Sequence, residues 1–173
     1  MKQSLFIIAT ILCFSLHAQE REFDKMDFMV GDWKFNASSM NPDGTYTTNQ
    51  TFYTKCKLLF NETSHKDDFY YKDQNGNMIC YGTTIRTYNE GEKRWEMLWV
   101  GNGFTESTEM VGEYKDENFY FDGKGKDQRG EYLEKITFYD ISDDQYKWKM
   151  DRSYDGGKTW MKNYFSYTAT KTK

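Results

Sequence analysis

The segment Ser153–Trp160 constrains the fold of this chain more than any other, because it predicts a tight hairpin and the pairing of its strands. Asp155 can accept hydrogen bonds from amides inside the turn, and the two glycines that follow tolerate the positive φ angles of a sharp reversal. A loop closed here aligns Asp151 with Lys162, an oppositely charged cross-strand pair. On the other face the same register pairs four aromatic residues: Trp148 with Phe165, and Tyr146 with Tyr167.

Most of the remaining chain alternates apolar and polar residues between closely spaced turn signals. Trp95, Met97 and Trp99, for example, share one face of a strand, and the chain is 18% aromatic with a single proline. About ten such runs occur, which is too many for an open sheet without exposed edges. We therefore expect an all-β fold, a closed antiparallel up-and-down β-barrel of about 8–10 strands, with a short helical turn over Phe23–Val30 capping one end.

The first 18 residues have the pattern of a secretory signal peptide. Lys2 precedes an apolar run from Leu5 to Leu16, and Ala18 provides a small residue at the cleavage site. Twelve helical residues reach about 18 Å, which is short of the roughly 30 Å of hydrocarbon in a bilayer. We expect a signal peptide over residues 1–18, a barrel domain over residues 19–173, and a secreted or periplasmic location.

The charge of the chain argues against polyanionic partners. Without residues 1–18 there are 22 Lys and Arg against 27 Asp and Glu, with no basic stretch. Such a surface does not favour nucleic acid or an anionic membrane. The remaining 155 residues suit one domain. We expect no nucleic-acid partner and no stable membrane insertion.

Two cysteines follow the predicted signal peptide, Cys56 and Cys80, in a compartment that permits disulfides. If Asn75-Gly76 is a two-residue hairpin turn, Cys80 faces Tyr71 and the cysteines lie apart. A β-bulge between residues 57 and 70 could still bring them together. Both alternatives remain open from sequence.

The segment Gly31-Asp32-Trp33, after the predicted helical turn, resembles the G-x-W signature of lipocalins and other calycins. The resemblance implies a calycin barrel in which Trp33 closes the floor and packs against a basic residue of the last strand, here Lys171. With the turn near the end of the chain, the order of motifs is similar to a bacterial family of secreted lipocalin-like proteins, largely of unknown function. The residues with an implied structural role are Gly31, Trp33, Ser153, Asp155, Gly157, Trp160 and Lys171.

Residues 153–160 also resemble the Asp-box turn of sialidase propeller blades, S-x-D-x-G-x-T-W. A propeller needs about four blades of four strands, whereas this chain has one copy of the motif. The sequence therefore predicts a structural turn and not a glycosidase.

Nitrobindin-like haem barrels share the expected shape and need one proximal histidine. After residue 18 the chain has only His65, in the polar stretch 62–68, which predicts a solvent-facing strand residue. Two isolated cysteines and one histidine also lack the paired spacing of a zinc site. We expect no cofactor and no metal site, although His65, Asp67 and Arg86 share a face.

The last hairpin predicts the chemistry of the barrel interior. Arg152 shares its face with aromatic residues, while lysines occupy the other face. An isolated buried charge costs several kcal/mol, so Arg152 needs a partner. It either holds the anionic head group of a ligand, as such a cation does in fatty-acid-binding calycins, or lies near the rim and pairs with a carboxylate or water.

Two acids are weak catalytic candidates. With Asn102-Gly103 as a turn, Trp99 opposes Glu106 and places that acid inside near the rim, and Glu62 ends an alternating run as a second inward acid. Desolvation raises the pKa of a carboxyl group and suits it to acid–base chemistry. Ser64 and His65, however, point to opposite faces of a strand. We therefore do not favour catalysis.

The combined hypothesis is an exported barrel that binds a small apolar or amphipathic ligand. Three alternatives stay open: a packed interior without a cavity, an enzyme acting on a small exported substrate through Glu62 or Glu106, and a surface interaction module using Trp160 and Tyr164. The predicted ligand-binding residues are Trp95, Trp99, Trp148, Arg152, Asn163, Phe165 and Tyr167.

Overall fold

A computed structural model describes residues 21–172, with the backbone alone at Phe104, so the predicted signal peptide lies outside the described residues. Ten antiparallel strands form a closed barrel in which each strand pairs with its neighbours in the chain and β1 pairs with β10. The predicted closed up-and-down barrel is confirmed. The strands are β1 (Gly31–Met40), β2 (Tyr46–Leu59), β3 (Ser64–Lys72), β4 (Met78–Asn89), β5 (Arg94–Gly101), β6 (Ser107–Lys115), β7 (Asn118–Asp127), β8 (Gly130–Tyr139), β9 (Gln145–Ser153) and β10 (Met161–Lys171).

Side chains sort between the inside and the outside of the barrel by alternation along each strand. On β9, Tyr146 and Met150 are buried, and Trp148 between them lines the interior. The intervening Lys147 and Lys149 approach Tyr139 on the outer face. Alternation of this kind places bulky rings inside a small barrel, because successive side chains of a strand point to opposite faces.

A 3₁₀ helix over Glu22–Met29 closes one end of the barrel, where the sequence predicted a short helical turn. Its buried residues Phe23, Met26 and Met29 join the main hydrophobic cluster. The Phe23 ring stacks on His65 at a centroid distance of 4.4 Å. We call this element the cap helix. The opposite end of the barrel is open. Within residues 21–172, no helix is both long and apolar enough to cross a membrane.

Trp33 lies directly below the cap helix and ties it to the barrel. The Trp33 Nε1–H donates to the Met29 carbonyl at 2.8 Å, and the side chain is 1% exposed. Lys171, its Cα partner on β10, holds Nζ 5.3 Å from the Trp33 ring centroid. This is the contact that the lipocalin resemblance implied between the first and last strands.

The turn between β9 and β10 is held by its own side chains. Asp155 accepts hydrogen bonds from the Thr159 amide at 2.9 Å and from Ser153 Oγ at 2.8 Å. Gly157 adopts a φ of 88°, in the left-handed region that favours glycine, and its carbonyl accepts from Trp160 Nε1–H at 3.0 Å. The Thr159 hydroxyl also donates to Asp155 Oδ2, at 2.6 Å. The hydrogen bonds from the Thr159 hydroxyl, the Thr159 amide and Ser153 lower the pKa of Asp155 to about 2, and the hydroxyl contributes most.

A bulge in β10 changes the predicted register of this hairpin. Met161 pairs with Arg152 as expected, but Phe165 then pairs with Met150, so the register shifts by two residues. Asn163 sits in the bulge with a φ of 49°. The predicted pairing of Trp148 with Phe165 is therefore wrong, and Trp148 stacks on Tyr167 at 5.0 Å instead.

Two other predicted registers also differ from the structure. Trp99 pairs with Thr108 and not with Glu106, because a 3₁₀ turn over Asn102–Phe104 lengthens the loop between β5 and β6. Cys80 pairs with Tyr70 next to a register shift in β3 and β4. Cys56 and Cys80 are both free, so the alternative of a disulfide between them is wrong.

Candidate functional site

A cavity of about 430 Å³ occupies the barrel between its open end and the residues beneath the cap helix. The interior surfaces of β2, β3, β5, β9 and β10 supply its aromatic wall, because the alternating pattern directs their rings inward. The tightest ring contacts in this wall are between Trp148 and Tyr167 at 5.0 Å and between Phe52 and Phe69 at 5.0 Å. The aromatic wall comprises Phe52, Phe69, Trp99, Trp148, Phe165 and Tyr167.

Trp99 stands at the open end of the cavity and is fixed on two sides. Its Nε1–H donates to Glu106 Oε1 at 2.8 Å. A Cβ placed on Gly82 of the neighbouring strand would come within 2.4 Å of the Trp99 ring, so only glycine leaves room for this ring position. Glu106 lines the cavity near its rim, where the sequence placed it, although the two residues are not direct register partners.

Arg152 lies inside the barrel, on the side of the open end, among three carboxylates. It forms a buried ion pair with Glu134, and its Nη1 donates to Asp127 Oδ2 at 3.1 Å. Glu106 Oε1 is 3.8 Å from Arg152 Nη2. The structure thus shows the second of the two alternatives for Arg152, pairing with carboxylates. We call these four residues the acidic cluster, because three acids surround one guanidinium.

Aromatic rings complete the surroundings of the Arg152 guanidinium. Its Cζ lies 3.9 Å from the Tyr132 ring centroid and 4.7 Å from that of Tyr164. Burial alone would lower the pKa of Arg152, but Glu134 and the other acids raise it above its ordinary value. Burial raises the pKa of Glu134 to about 7, against the opposing effect of Arg152. The guanidinium therefore stays charged while Glu134 can exchange a proton near neutrality.

Arg86 and Asp67 form a second charged pair deeper in the cavity. Arg86 Nη2 donates to Asp67 Oδ2 at 3.2 Å, and Arg86 Nε–H points to Met97 Sδ at 3.1 Å. Both residues line the cavity, with Arg86 only 4% and Asp67 only 6% exposed. Burial raises the pKa of Asp67, and Arg86 opposes that effect. We call Arg86 and Asp67 the inner pair.

One polar atom of each member of the inner pair is sealed off. Arg86 Nη1 and Asp67 Oδ1 have almost no accessible surface and meet no partner at full hydrogen-bond geometry within residues 21–172, although the Thr54 side chain opposes the rise in the pKa of Asp67. Sequence analysis grouped these residues on one face with His65 but assigned them no role. Their alternation on β3 and β4 was the signal, and only the cross-strand register brings them into contact.

His65 is buried, and its predicted solvent-facing position is wrong. Its side chain is fully inaccessible, and Nε2 lies 2.8 Å from Asp27 Oδ1 on the cap helix. The polar neighbours of His65 in sequence misled the prediction, since Phe23 of the cap helix covers the ring. Burial lowers the pKa of His65, although the bond to Asp27 opposes this. His65 thus anchors the cap helix and does not line the cavity.

Trp95 and Glu62 also occupy positions that differ from the prediction. Trp95 is fully buried at the closed end, in edge contact with Phe119 at 5.5 Å, and it does not line the cavity. Glu62 is exposed in the turn between β2 and β3, with a φ of 62°. The alternating run that suggested an inward acid ends before this turn. Glu62 is therefore remote from the cavity.

The β10 bulge exchanges the expected positions of Asn163 and Tyr164. Asn163 is exposed, and its backbone N–H donates to Asp151 Oδ1 at 2.8 Å, so the prediction of an inward side-chain amide is wrong. Tyr164 lines the cavity, although sequence analysis offered it as part of an outer surface. Trp160, the other such candidate, is half-buried and bonded to its own turn. Trp148, Phe165 and Tyr167 line the cavity as the alternation predicted.

The barrel is similar to solved structures of other proteins. Residues of this chain match the S-type phycobiliprotein lyase CPES from Guillardia theta with a TM-score of 0.58 and 14% identity, over 85% of this chain and 90% of that one. The two proteins share a fold. A DUF3598 family protein of unknown function from Nostoc punctiforme matches with a TM-score of 0.25 and 10% identity, over 88% of this chain and 100% of that one.

The ten-strand barrel, which CPES shares, fits the lipocalin-like calycin fold that the sequence resemblance implies. No protein-family model matches the chain. No curated protein matches it either. Within residues 21–172, no three His, Cys, Asp or Glu side chains cluster as a metal site requires.

Proposed function

We propose that this protein binds one small amphipathic molecule inside the barrel. The observation that supports the proposal is the cavity of about 430 Å³, which has an aromatic wall and charged groups at two depths. Ligand pockets of about 300–1,000 Å³ that combine an apolar lining with a few placed polar groups are typical of small-molecule sites. Burial of apolar ligand surface against the rings stabilises the complex by roughly 25 cal/mol per Å², and the polar groups fix the orientation of the ligand.

The charges of the acidic cluster indicate which polar group belongs at the open end. Because three carboxylates surround Arg152, its charge is more than offset before any ligand enters. A ligand carboxylate near Arg152 would meet Glu106, which is the most exposed acid of the cluster with 21% of its side chain accessible. A positively charged or hydrogen-bond-donating group therefore fits this end better than the anionic head group expected from sequence.

The similarity to the phycobiliprotein lyase supports the proposal through the shared barrel only. A likeness at 14% identity shows a shared fold alone, so the proposal takes nothing from that protein's named activity. We also propose that the protein is exported, on the basis of the apolar run that precedes Ala18 and the resemblance to secreted lipocalin-like proteins.

A cavity-filling substitution tests the proposal. Met110 lines the cavity and is 5% exposed, whereas the next residue, Val111, is 44% exposed on the outer face. We expect Met110→Trp to weaken binding of the neutral fluorescent dye N-phenyl-1-naphthylamine, which carries an N–H donor, by about tenfold or more, since the indole occupies ligand volume. Dye titration followed by emission, in parallel with thermal unfolding, measures this.

Val111→Trp is the matched control, because it adds the same ring to the same strand on the opposite face. Its dye affinity should stay within about twofold of the wild-type value. Equal weakening in both variants, or none in a folded Met110→Trp protein, would contradict binding inside the barrel. If the proposal fails in this way, native mass spectrometry of protein purified from its own source should also show no retained small molecule.

A further inference from the structure

Glu106 carries a further inference, which rests on the proposed function and specifies the chemical class of the ligand. We propose that the ligand is an amphipathic amine, whose ammonium group binds Glu106 at the open end of the cavity while its apolar body lies against the aromatic wall. The ammonium N–H groups would donate to Glu106 Oε2, and the rings of Trp99 and Tyr81 would lie beside the positive charge. Glu106 is thus the residue that determines specificity for a cation.

Glu106 differs from the other charged residues of the cavity because solvent reaches it. Within the described part of the chain, four other charged side chains line the cavity, each of them 6% exposed or less. They pair with one another, as the inner pair and as Arg152 with Glu134. In contrast, 21% of the Glu106 side chain is accessible. A ligand that enters from the open end therefore meets a carboxylate as the first charge that it can contact.

The contacts of Glu106 leave one of its carboxylate oxygens available to a ligand. Oε1 accepts from Trp99 Nε1–H at 2.8 Å and lies 3.8 Å from Arg152 Nη2, the longest of the three contacts between Arg152 and an acid. Oε2 meets no partner at full hydrogen-bond geometry within residues 21–172. Because Trp99 is a neutral donor, it holds the carboxylate in place without cancelling its charge, and Oε2 can accept a charge-assisted hydrogen bond.

The sum of charges at the open end also favours a cation. Arg129 adds a second guanidinium, with Nε 3.9 Å from Asp127 Oδ2. Glu106, Asp127 and Glu134 carry three negative charges against the two positive charges of Arg129 and Arg152, so the sum is one negative charge when all five groups are ionised. The sum is zero when Glu134 holds a proton. An anionic head group therefore gains no net attraction at this end, whereas a cation does.

Two rings beside Glu106 suit a positive charge as well. Tyr81 and Trp99 line the cavity with their ring centroids 6.0 Å apart and an interplanar angle of 31°. Burial raises the pKa of Tyr81, and the negative charge of Glu106 adds to the rise, so the tyrosine lies within the field of the carboxylate. Aromatic rings attract cations through their faces. A neutral hydroxyl group could donate to Glu106, but it would gain nothing from the charge or from the rings.

The test compares two probes with the same body, 2-naphthylmethylamine, which is protonated at neutral pH, and the neutral 2-naphthylmethanol. We expect the wild-type protein at pH 7.5 to bind the amine at least about tenfold more tightly, by isothermal titration calorimetry. The variant Glu106→Gln keeps an oxygen that accepts from Trp99 Nε1–H but removes the charge. It should bring the two affinities to within about threefold of each other, while the affinity for the alcohol stays within about twofold of the wild-type value.

Glu109→Gln is the matched control, because it removes the same charge from an exposed position on the outer face of β6. It should leave the affinity ratio of the two probes unchanged. An equal fall of the ratio in both variants would indicate an effect of net charge and contradict contact with Glu106. A wild-type protein that binds the alcohol as tightly as the amine overturns the inference, and so does a folded Glu106→Gln variant with an unchanged ratio. If Glu106→Gln does not fold, the wild-type ratio decides.

The two proposals fail in different ways. If neither the naphthalene probes nor N-phenyl-1-naphthylamine bind wild-type protein, the proposed ligand-binding function is wrong. If the neutral dye binds and Met110→Trp abolishes that binding, but the protonated amine has no advantage over the alcohol, the cavity remains a ligand site and only the role of Glu106 is wrong.

Discussion

Glu134 lies on β8, 3% exposed, with its carboxylate against the Arg152 guanidinium. Desolvation disfavours its charged form, whereas the ion pair favours it, and burial prevails to give a pKa of about 7. Asp127 and Glu106 also approach Arg152, so the guanidinium keeps partners when Glu134 takes up a proton. Near neutral pH this single residue therefore changes the charge of the open end.

The raised pKa of Glu134 predicts how stability depends on pH. The carboxyl binds a proton more tightly in the folded state, with a pKa of about 7, than in the unfolded state, where the ordinary value is 4.5. Stability is therefore greatest, in this respect, below pH 4.5 and falls as the pH rises towards 7, by at most about 3 kcal/mol. Glu134→Gln should remove this contribution, so the difference in unfolding free energy from wild type should vary between pH 5 and pH 8.

Urea unfolding at several pH values measures this difference. Glu131→Gln provides the control, since Glu131 is exposed on the same strand and should leave the slope unchanged. A pH-independent difference between wild type and Glu134→Gln would show that the pKa of Glu134 is not raised in the folded protein.

At the scale of the element, the bulge in β10 determines which side chains enter the cavity. Asn163 takes a φ of 49°, and the two-residue register shift turns Tyr164 inward while Phe165 and Tyr167 keep their inward positions. Bulges re-aim side chains in this way at the rims of barrels. The ring of Tyr164 then contacts the Arg152 guanidinium, so a local backbone feature adds an aromatic neighbour to the acidic cluster.

The positive φ of Asn163 predicts which substitutions the bulge tolerates. Asn and Gly accept left-handed backbone conformations, whereas β-branched residues resist them. We expect Asn163→Val to lower the free energy of unfolding by about 1–2 kcal/mol, and Asn163→Gly to change it by less than about 0.5 kcal/mol. Chemical denaturation followed by circular dichroism compares the two. Equal losses in both variants would indicate that the side chain of Asn163, and not its backbone conformation, stabilises the bulge.

Alternation along the strands made the barrel and most of its aromatic lining predictable from sequence. Trp148, Phe165 and Tyr167 are placed by parity, and a register error of two residues leaves parity unchanged. What sequence could not supply were features that depend on contacts between distant segments. The cap helix buries His65, and the cross-strand contact of Arg86 with Asp67 exists only once β3 and β4 are in register.

At the scale of the whole molecule, the barrel has one closed and one open end. The cap helix and the rings beneath it fill the closed end, and the cavity reaches solvent at the opposite end, beside Trp99 and Tyr81. Because β1 pairs with β10, none of the ten strands leaves an unpaired edge along the barrel wall. The rings packed beneath the cap helix thus lie at one end of the barrel, and the opening through which a ligand would enter lies at the other.

This separation predicts that the closed end can be weakened without loss of ligand binding. Phe23 is 6% exposed and packs on His65, so Phe23→Ala should lower the free energy of unfolding by about 3–5 kcal/mol. The variant should still bind N-phenyl-1-naphthylamine with an affinity within about twofold of wild type, measured at a temperature where it is folded. Glu22→Ala, at a more exposed position of the same helix, should change neither quantity. A folded Phe23→Ala protein that no longer binds the dye would contradict entry from the open end.

The chain has five tryptophans, and the barrel divides them by position. Trp99 and Trp148 border the cavity, whereas Trp33 and Trp95 lie sealed beneath the cap helix and Trp160 belongs to the hairpin turn. An occupant of the cavity would alter the emission of the first two indoles and leave the other three as a constant background. The protein therefore carries its own optical reporter of occupancy, and single Trp99→Phe and Trp148→Phe variants would assign the signal to each ring.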